Sequence, residues 1–308
     1  CCITTNSHCA WTNERGHVTA LASMNQLHRV KILVASNRYP LALFIASRVG
    51  LFVCVYIGLV LIPVRDDEGL WRTMSDNLFL DGFARWDAGW YNNIAMNGYS
   101  NIGSHRDTAF FPAYPFLLSL ANSFGDRGVF LWGIFLSNAL FLLGLCVTFQ
   151  LAKSLLDEKT ARLAIALLAF APLSVFFGSI YTESLFFAST SASFWLAKKG
   201  KPYLAMMAAA VASVTRVAGL ICIPFAYTYF CSAQPRENVA IQDDLEAKPR
   251  IAARPLPAFA VGFSLIAAHI LYQQIKYGNF LQFVQSQKDW SAASTPLVLK
   301  AAWLPILS

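Results

Sequence analysis

Residues 203–230 read YLAMMAAAVASVTRVAGLICIPFAYTYF, an almost wholly apolar run with a single cation, Arg216, near its centre. Two helical readings compete for it. As one tilted span, it carries an arginine at mid-membrane, which costs roughly 2.5–3.5 kcal/mol on insertion scales. As a hairpin of two half-depth helices, it turns at Thr215-Arg216 and returns to the side from which it came. The flanking charges choose between them. Lys198, Lys199 and Lys201 precede the run, and Arg236, Lys248, Arg250 and Arg254 follow it. Only the hairpin keeps both groups on one side, and it leaves 256–275 as a further span.

Working outward, the apolar runs 41–62, 129–151, 163–179 and 185–197 read as spans, at about 1.5 Å of rise per residue. Arg29, Lys31 and Arg38 precede the first and favour a cytoplasmic N-terminus. Arg48, one to two turns in, is expected to snorkel back to that side. Under this topology thirteen basic residues lie inside and seven outside, with the acids biased outward, as the positive-inside rule requires. A single span at 203–230 moves four basic residues out and spoils the asymmetry. Residues 110–124, with Pro112 and Pro115 at their start, read as a re-entrant or interfacial segment. Residues 277–290 read as an amphipathic outer-surface stretch near 85–99.

Composition agrees. The chain is 56% hydrophobic and 13% charged, about half the charge of a soluble protein, and its mean hydropathy is +0.48. The net charge of +7 lies mostly in short loops, where it sets topology; no nucleic acid is implied. The seven cysteines form no metal-spaced set, and Cys54, Cys146, Cys222 and Cys231 read as small hydrophobes. The fold expected is an all-α polytopic transmembrane bundle with a large first outer loop carrying interfacial helices. Residues 1–40 form an N-terminal segment, of which 1–23, preceding Met24, read as not native. Residues 41–308 form the membrane domain, read as stopping short of its last spans.

The polar stretch 85–99 carries one carboxylate, Asp87, between Trp86 and Trp90. Aromatic rings are platforms for sugars and for the headgroup zone. Read as one helix from Phe83 to Tyr99, it lines up Phe83, Trp86, Trp90 and Ile94 as an apolar stripe and sets Asp87 and Tyr91 on a neighbouring face. Arg85 then lies about 200° from Asp87 and cannot pair with it. Asp87 is either a solvated acid on an interfacial helix or a catalytic one. Arg216 is either half of a buried ion pair, with Glu183 for instance, or a cradle for a lipid phosphate, whose oxygens suit a planar guanidinium. Glu183 is an end-of-helix carboxylate or a substrate contact. The run Asp66-Asp67-Glu68 reads as a solvated loop, with a base or a divalent-cation site as its second reading; no metal or other cofactor is otherwise expected.

Arg85-Trp86-Asp87-Ala88-Gly89-Trp90-Tyr91, followed by Ile94-Ala95 and Gly98-Tyr99, resembles the RWD-centred signature of the GPI mannosyltransferase II family and its prokaryotic relatives. Phe110-Phe111-Pro112-Ala113-Tyr114-Pro115 is similar to the FFPxYP block that follows there. Tyr181-Thr182-Glu183-Ser184 and Ser213-Val214-Thr215-Arg216 resemble its Y-[ST]-E-S and S-x-T-R blocks. Gly89-Trp90-Tyr91 looks more like the prokaryotic branch. The resemblance implies a glycosyltransferase of the C type (GT-C), a multi-pass membrane enzyme of the prokaryotic plasma membrane or the eukaryotic endoplasmic reticulum. It implies transfer of a hexose, read as mannose, from a polyprenyl- or dolichyl-phosphate donor to a hydroxyl of a glycan or glycolipid acceptor, on the outer face and with inversion. The family's catalytic carboxylate falls on Asp87; Arg85, Trp86, Trp90, Tyr91, Glu183 and Arg216 would contact substrate. The rival is a transporter or flippase, for which the expected paired half-repeats are lacking; a non-catalytic membrane scaffold is the third reading.

Overall fold

The structure is a computed structural model and describes residues 35–62, 77–100, 107–233 and 256–294. The described residues hold helices and no strand, in agreement with the all-α expectation. They comprise α1 (Arg38–Leu61), α2 (Leu78–Asp81), α3 (Ala88–Asn97), α4 (Ala113–Ser119), α5 (Gly125–Leu155), α6 (Glu158–Ala169), α7 (Glu183–Lys198), α8 (Pro202–Ser213), α9 (Cys222–Ala233), α10 (Leu256–Tyr277) and α11 (Gln282–Ser294). Three of them, α1, α5 and α10, are long and apolar enough to cross a bilayer. Residues 1–34, the acidic run Asp66-Asp67-Glu68 and the apolar stretch from Leu297 lie outside the described residues, and so do the readings placed on them.

The central packing is α5 against α7. Small residues on α5 let the partner close in, as membrane helices require. A Cβ on Gly144 would stand 2.4 Å from Cδ1 of Phe187, and one on Gly133 3.0 Å from Ile180 and from Leu118. Thr148 and Ser191 share a hydrogen bond across this interface at 2.8 Å. Phe141, Leu145 and Phe149 of α5 meet Ala161, Ile165 and Ala169 of α6 in a second buried cluster.

The chain reverses between α8 and α9, as the charges demanded. α8 ends at Ser213, Val217–Ile221 forms a 3-10 turn, and α9 runs back. Ala205, at the start of α8, and Phe230, at the end of α9, share one buried cluster. Because both helices are short, Arg216 sits in the turn between them.

Two expectations are corrected, one for a span and one for a side chain. The run 163–179 is not one helix: α6 stops at Ala169, and Pro172–Phe177 continues as a 3-10 helix. Pro172 has no N–H to give the ladder and biases Ala171 away from helical dihedrals; Ala171 takes ψ 143°. Arg48 does not snorkel. It is 4% exposed, donates to the Ser174 carbonyl at 3.1 Å and lies 4.7 Å from the centre of the Phe141 ring. The Ser174 carbonyl in the α6–α7 connection and the Phe141 ring of α5 hold the guanidinium inside the protein.

Helix direction sorts the charges. Lys153, Lys159, Arg162, Lys198, Lys199 and Lys201 all fall at the end of the bundle where α5 passes to α6 and α7 to α8; Lys198 reaches back to the Ser154 carbonyl. The turns at 82–87, 170–182 and 214–221 gather at the opposite end, where the Ile180 amide donates to the Phe83 carbonyl at 3.0 Å and the Ala113 amide to the Val214 carbonyl at 3.0 Å. The basic residues and these turns therefore lie at opposite ends of the bundle.

The reversal depends on a close approach. A Cβ on Gly219 would stand 2.1 Å from the Ala212 carbonyl oxygen and 2.5 Å from the Ser213 nitrogen, both backbone atoms that cannot swing aside. Gly219→Ala is expected to cost at least about 2 kcal/mol, at the upper end for overpacking, read as a lowered midpoint for unfolding in detergent. Gly58→Ala, whose new methyl meets nothing within 4 Å, is the control and should leave the midpoint in place.

Candidate active site

The stretch 83–99 is not the single helix its apolar spacing suggests. Helix α3 begins only at Ala88, and residues 82–87 form a turn packed on the Ser179–Tyr181 backbone. The expected stripe is therefore split: Phe83 is buried at 1%, while Trp86 is 65% exposed. Trp86 has φ +56° and is the one described non-glycine residue in the left-handed region, where an L residue costs roughly 1–2 kcal/mol.

What holds this turn is Tyr181. Its hydroxyl donates to the Arg85 carbonyl at 2.9 Å and accepts from the Asp87 amide at 3.2 Å, bracketing the strained residue. The Tyr181 ring is itself buried, edge-on to Phe176 at 5.1 Å and to Tyr91 at 6.2 Å. Arg85 pairs with Asp81 at 2.9 Å, one helical turn back, and Asp81 is fully buried. Arg85 is turned to Asp81 rather than to Asp87; the angular argument presupposed one continuous helix and does not apply to this turn.

Next to Tyr181 in the chain, Thr182 and Glu183 receive Arg216. The Arg216 Nε donates to Thr182 Oγ1 at 2.8 Å, and one Nη donates to Glu183 Oε1. Their side chains are 42% and 24% exposed, so the pair sits at a mouth rather than in a sealed core. The pairing of Arg216 with Glu183, one of the alternatives open from sequence, is present.

Asp87 lies close enough to feel this cation. Asp87 is exposed to solvent, yet desolvation by the protein beside it raises its carboxyl pKa above the ordinary aspartate value, and the Arg216 charge pulls it partly back. Tyr91 is buried, meets Thr182 through its hydroxyl and packs edge-on against Tyr114 at 5.5 Å. Trp90 stacks on Phe110, centroids 5.9 Å apart and planes 15° from parallel. Asp87, Tyr91, Glu183 and Arg216 thus converge from three separate segments, while Trp86 and Trp90 flank them.

Sequence reasoning assigned no role to Asp81, Tyr181 or Thr182. Tyr181-Thr182 was visible as part of a matching block, and that block was the available signal. Helix α11, expected near 85–99, covers the segment that follows it: Thr108 and Ser286 share a buried hydrogen bond at 2.6 Å, and Phe111 meets Phe283 at 5.3 Å. Among the described residues no group of three or more His, Cys, Asp or Glu is placed to hold a metal ion.

A multi-pass helical membrane protein that gathers a carboxylate, a cation and aromatic rings at one end of its bundle is built as a membrane enzyme. Comparison with known proteins makes this particular. Residues 69–300 match the family described as Mannosyltransferase (PIG-V), and the chain belongs to that family. It is 25% identical over 218 residues to the GPI alpha-1,6-mannosyltransferase 2 of Rattus norvegicus, covering 66% of this chain and 42% of the rat protein. It is 28% identical over 156 residues to the protein of the same name from Cricetulus griseus, covering 47% of this chain and 31% of that one. The chain thus spans less than half the length of these relatives. No solved structure matches it. The family is one of glycosyltransferases, which sets the transporter reading aside.

The Arg85–Asp81 pair tests the turn independently of activity. Arg85→Met takes the Arg85 cation away from a fully buried carboxylate and is expected to destabilise the fold, seen as a lower unfolding midpoint. Adding Asp81→Asn should recover part of that loss. An equal midpoint for wild type and Arg85→Met would show that the pair contributes nothing.

Proposed function

We propose that this chain transfers mannose from a polyprenyl- or dolichyl-phosphate carrier to a hydroxyl of a glycan or glycolipid, at the outer end of the bundle, in one inverting displacement. The observation that carries the reading is the approach of Asp87 to Arg216 at a junction of three chain segments. The family match supports the class of reaction, and the names of the two relatives support mannose.

In the proposed step, the acceptor oxygen forms a bond to the anomeric carbon while the bond from that carbon to the carrier phosphate oxygen breaks. Asp87 takes the acceptor proton, a contribution typically worth 10²–10⁴-fold. The electron pair leaves on the phosphate, and Arg216 meets the charge that develops there. Its partial exposure leaves part of the guanidinium available beside Glu183. Arg85, committed to Asp81, supplies a second positive charge near the turn. Trp86 and Trp90 offer ring faces to sugar or carrier, and Tyr91 with Glu183 lines the floor. A carrier whose tail stays in the bilayer suits a centre built where membrane helices end.

Asp87→Asn is expected to lower transfer from radiolabelled polyprenyl-phosphate-mannose at least 100-fold while donor binding persists; turnover at the wild-type rate would exclude Asp87 as the base. Arg216→Ala should weaken donor binding, and unchanged affinity would return Arg216 to a purely structural part.

The pH profile carries a sign. A base works only when deprotonated, so activity is full above its pKa and falls as pH drops through it. Because crowding raises the Asp87 pKa, the acid limb lies above that of an ordinary aspartate. Glu183, Tyr181 and Tyr91 are the other titratable groups within electrostatic reach of Asp87, and Arg216 is the cation that opposes the rise. Arg216→Ala should therefore shift the acid limb of kcat/KM further upward, and a downward shift would contradict the assignment.

A further inference from the structure

We infer that Tyr181 is a positioning residue for the base: its hydroxyl, bound to the backbone on both sides of Trp86, sets the direction in which the Asp87 carboxylate points. The inference rests on the proposed role of Asp87. No reacting atom touches Tyr181; it acts through the turn.

Three observations carry it. First, the two hydrogen bonds use one oxygen in both senses, donating to Arg85 and accepting from Asp87. An oxygen so placed fixes the separation of the two peptide groups on either side of residue 86. Secondly, the residue between them has φ +56° and a bulky side chain. Such a conformation persists only where its surroundings over-determine it, and Tyr181 provides the hydrogen bonds directly around it. Thirdly, the hydroxyl cannot drift. Tyr181 is 7% exposed, its ring is held by Phe176 and Tyr91, and the preceding amide, that of Ile180, is fastened to the Phe83 carbonyl. The turn bearing Asp87 is thus gripped at Phe83, Arg85 and Asp87 by two consecutive residues, Ile180 and Tyr181.

The consequence is geometric. Asp87 heads helix α3 without using its side chain as a cap, so its carboxylate owes its direction to the turn before it. The next two residues after Tyr181 hold Arg216. One short segment, 180–183, therefore sets the base and the phosphate-facing cation relative to one another. Misplacing a reacting group by about an ångström can cost on the order of 100-fold in rate.

Tyr181→Phe removes the oxygen and keeps the ring. In the full chain, with radiolabelled polyprenyl-phosphate-mannose as donor and native membranes supplying acceptor, kcat per folded enzyme is expected to fall roughly 10- to 100-fold, with donor KM changed less than twofold. The acid limb should move down in pH, because an Asp87 released from its crowded position becomes more hydrated. A purely structural role would lower the folded fraction alone, leaving kcat per folded molecule and the acid limb unchanged, and that result overturns the inference. If Asp87→Asn is inactive and Tyr181→Phe behaves as wild type, only the positioning role falls; if Asp87→Asn is fully active, the base assignment falls and takes this one with it. Should Tyr181→Phe not fold, hydrogen exchange in the wild type decides: a slow Asp87 amide supports the clamp, and exchange at the rate of an exposed loop refutes it.

Discussion

Backbone that leaves the helical ladder inside a bilayer has no water to turn to and must find its hydrogen bonds in protein. In this chain three such departures meet. The turn before α3 gives its Phe83 carbonyl to Ile180; the segment before α7 gives a phenol to the Arg85 and Asp87 peptides; the turn after α8 gives its Val214 carbonyl to Ala113. The first two satisfy each other, and the third is met by the start of α4. A break left alone would expose costly polar groups, so the three are driven to one end of the bundle. The polar side chains on them, Asp87, Glu183 and Arg216, are brought together as a result.

Electrostatics then follows from number and placement. Two carboxylates face one guanidinium at the mouth of the junction, and Arg216 is shared between them: bonded to Glu183, felt by Asp87. Desolvation by the surrounding protein raises the Asp87 pKa, and the Arg216 charge opposes that rise. Under the proposed function an arriving phosphate would compete with Glu183 for Arg216, since both offer the same kind of oxygen to the same donors. Glu183 holds the guanidinium without sealing it, because the arginine side chain remains 42% exposed. The ion pair and the proposed phosphate contact are therefore not exclusive readings of Arg216.

The long spans were legible because composition and length alone specify α1, α5 and α10, and the reversal after α8 was legible because charge asymmetry gives it a sign. What failed did so for local reasons. The helical spacing of Phe83, Trp86, Trp90 and Ile94 is satisfied equally by a turn followed by a helix, and periodicity cannot see a residue of positive φ inside its window. Arg48 looked free to reach the membrane surface because sequence shows its distance from the helix end, not the Ser174 carbonyl 126 residues away. The run 163–179 looked like one span because hydropathy averages over Pro172. The site residues themselves came from ordered sequence blocks; that they touch came only from the fold, and Tyr181 had no chemistry of its own to draw notice.

Trp86 closes the argument about where this fold gives up stability. A glycine at that position would remove the left-handed penalty, and the indole gains little from burial, since it is 65% exposed and reaches Phe176 only at a tilted 6.4 Å. Folding alone therefore favours the smaller residue. A large ring held in an unfavourable backbone region, beside the carboxylate and braced by a buried tyrosine, is a local cost with no structural return within the described residues. Such costs concentrate at functional sites, where something outside the fold repays them, and under the proposed function the partner for this aromatic face would be a sugar ring or the lipid that carries it.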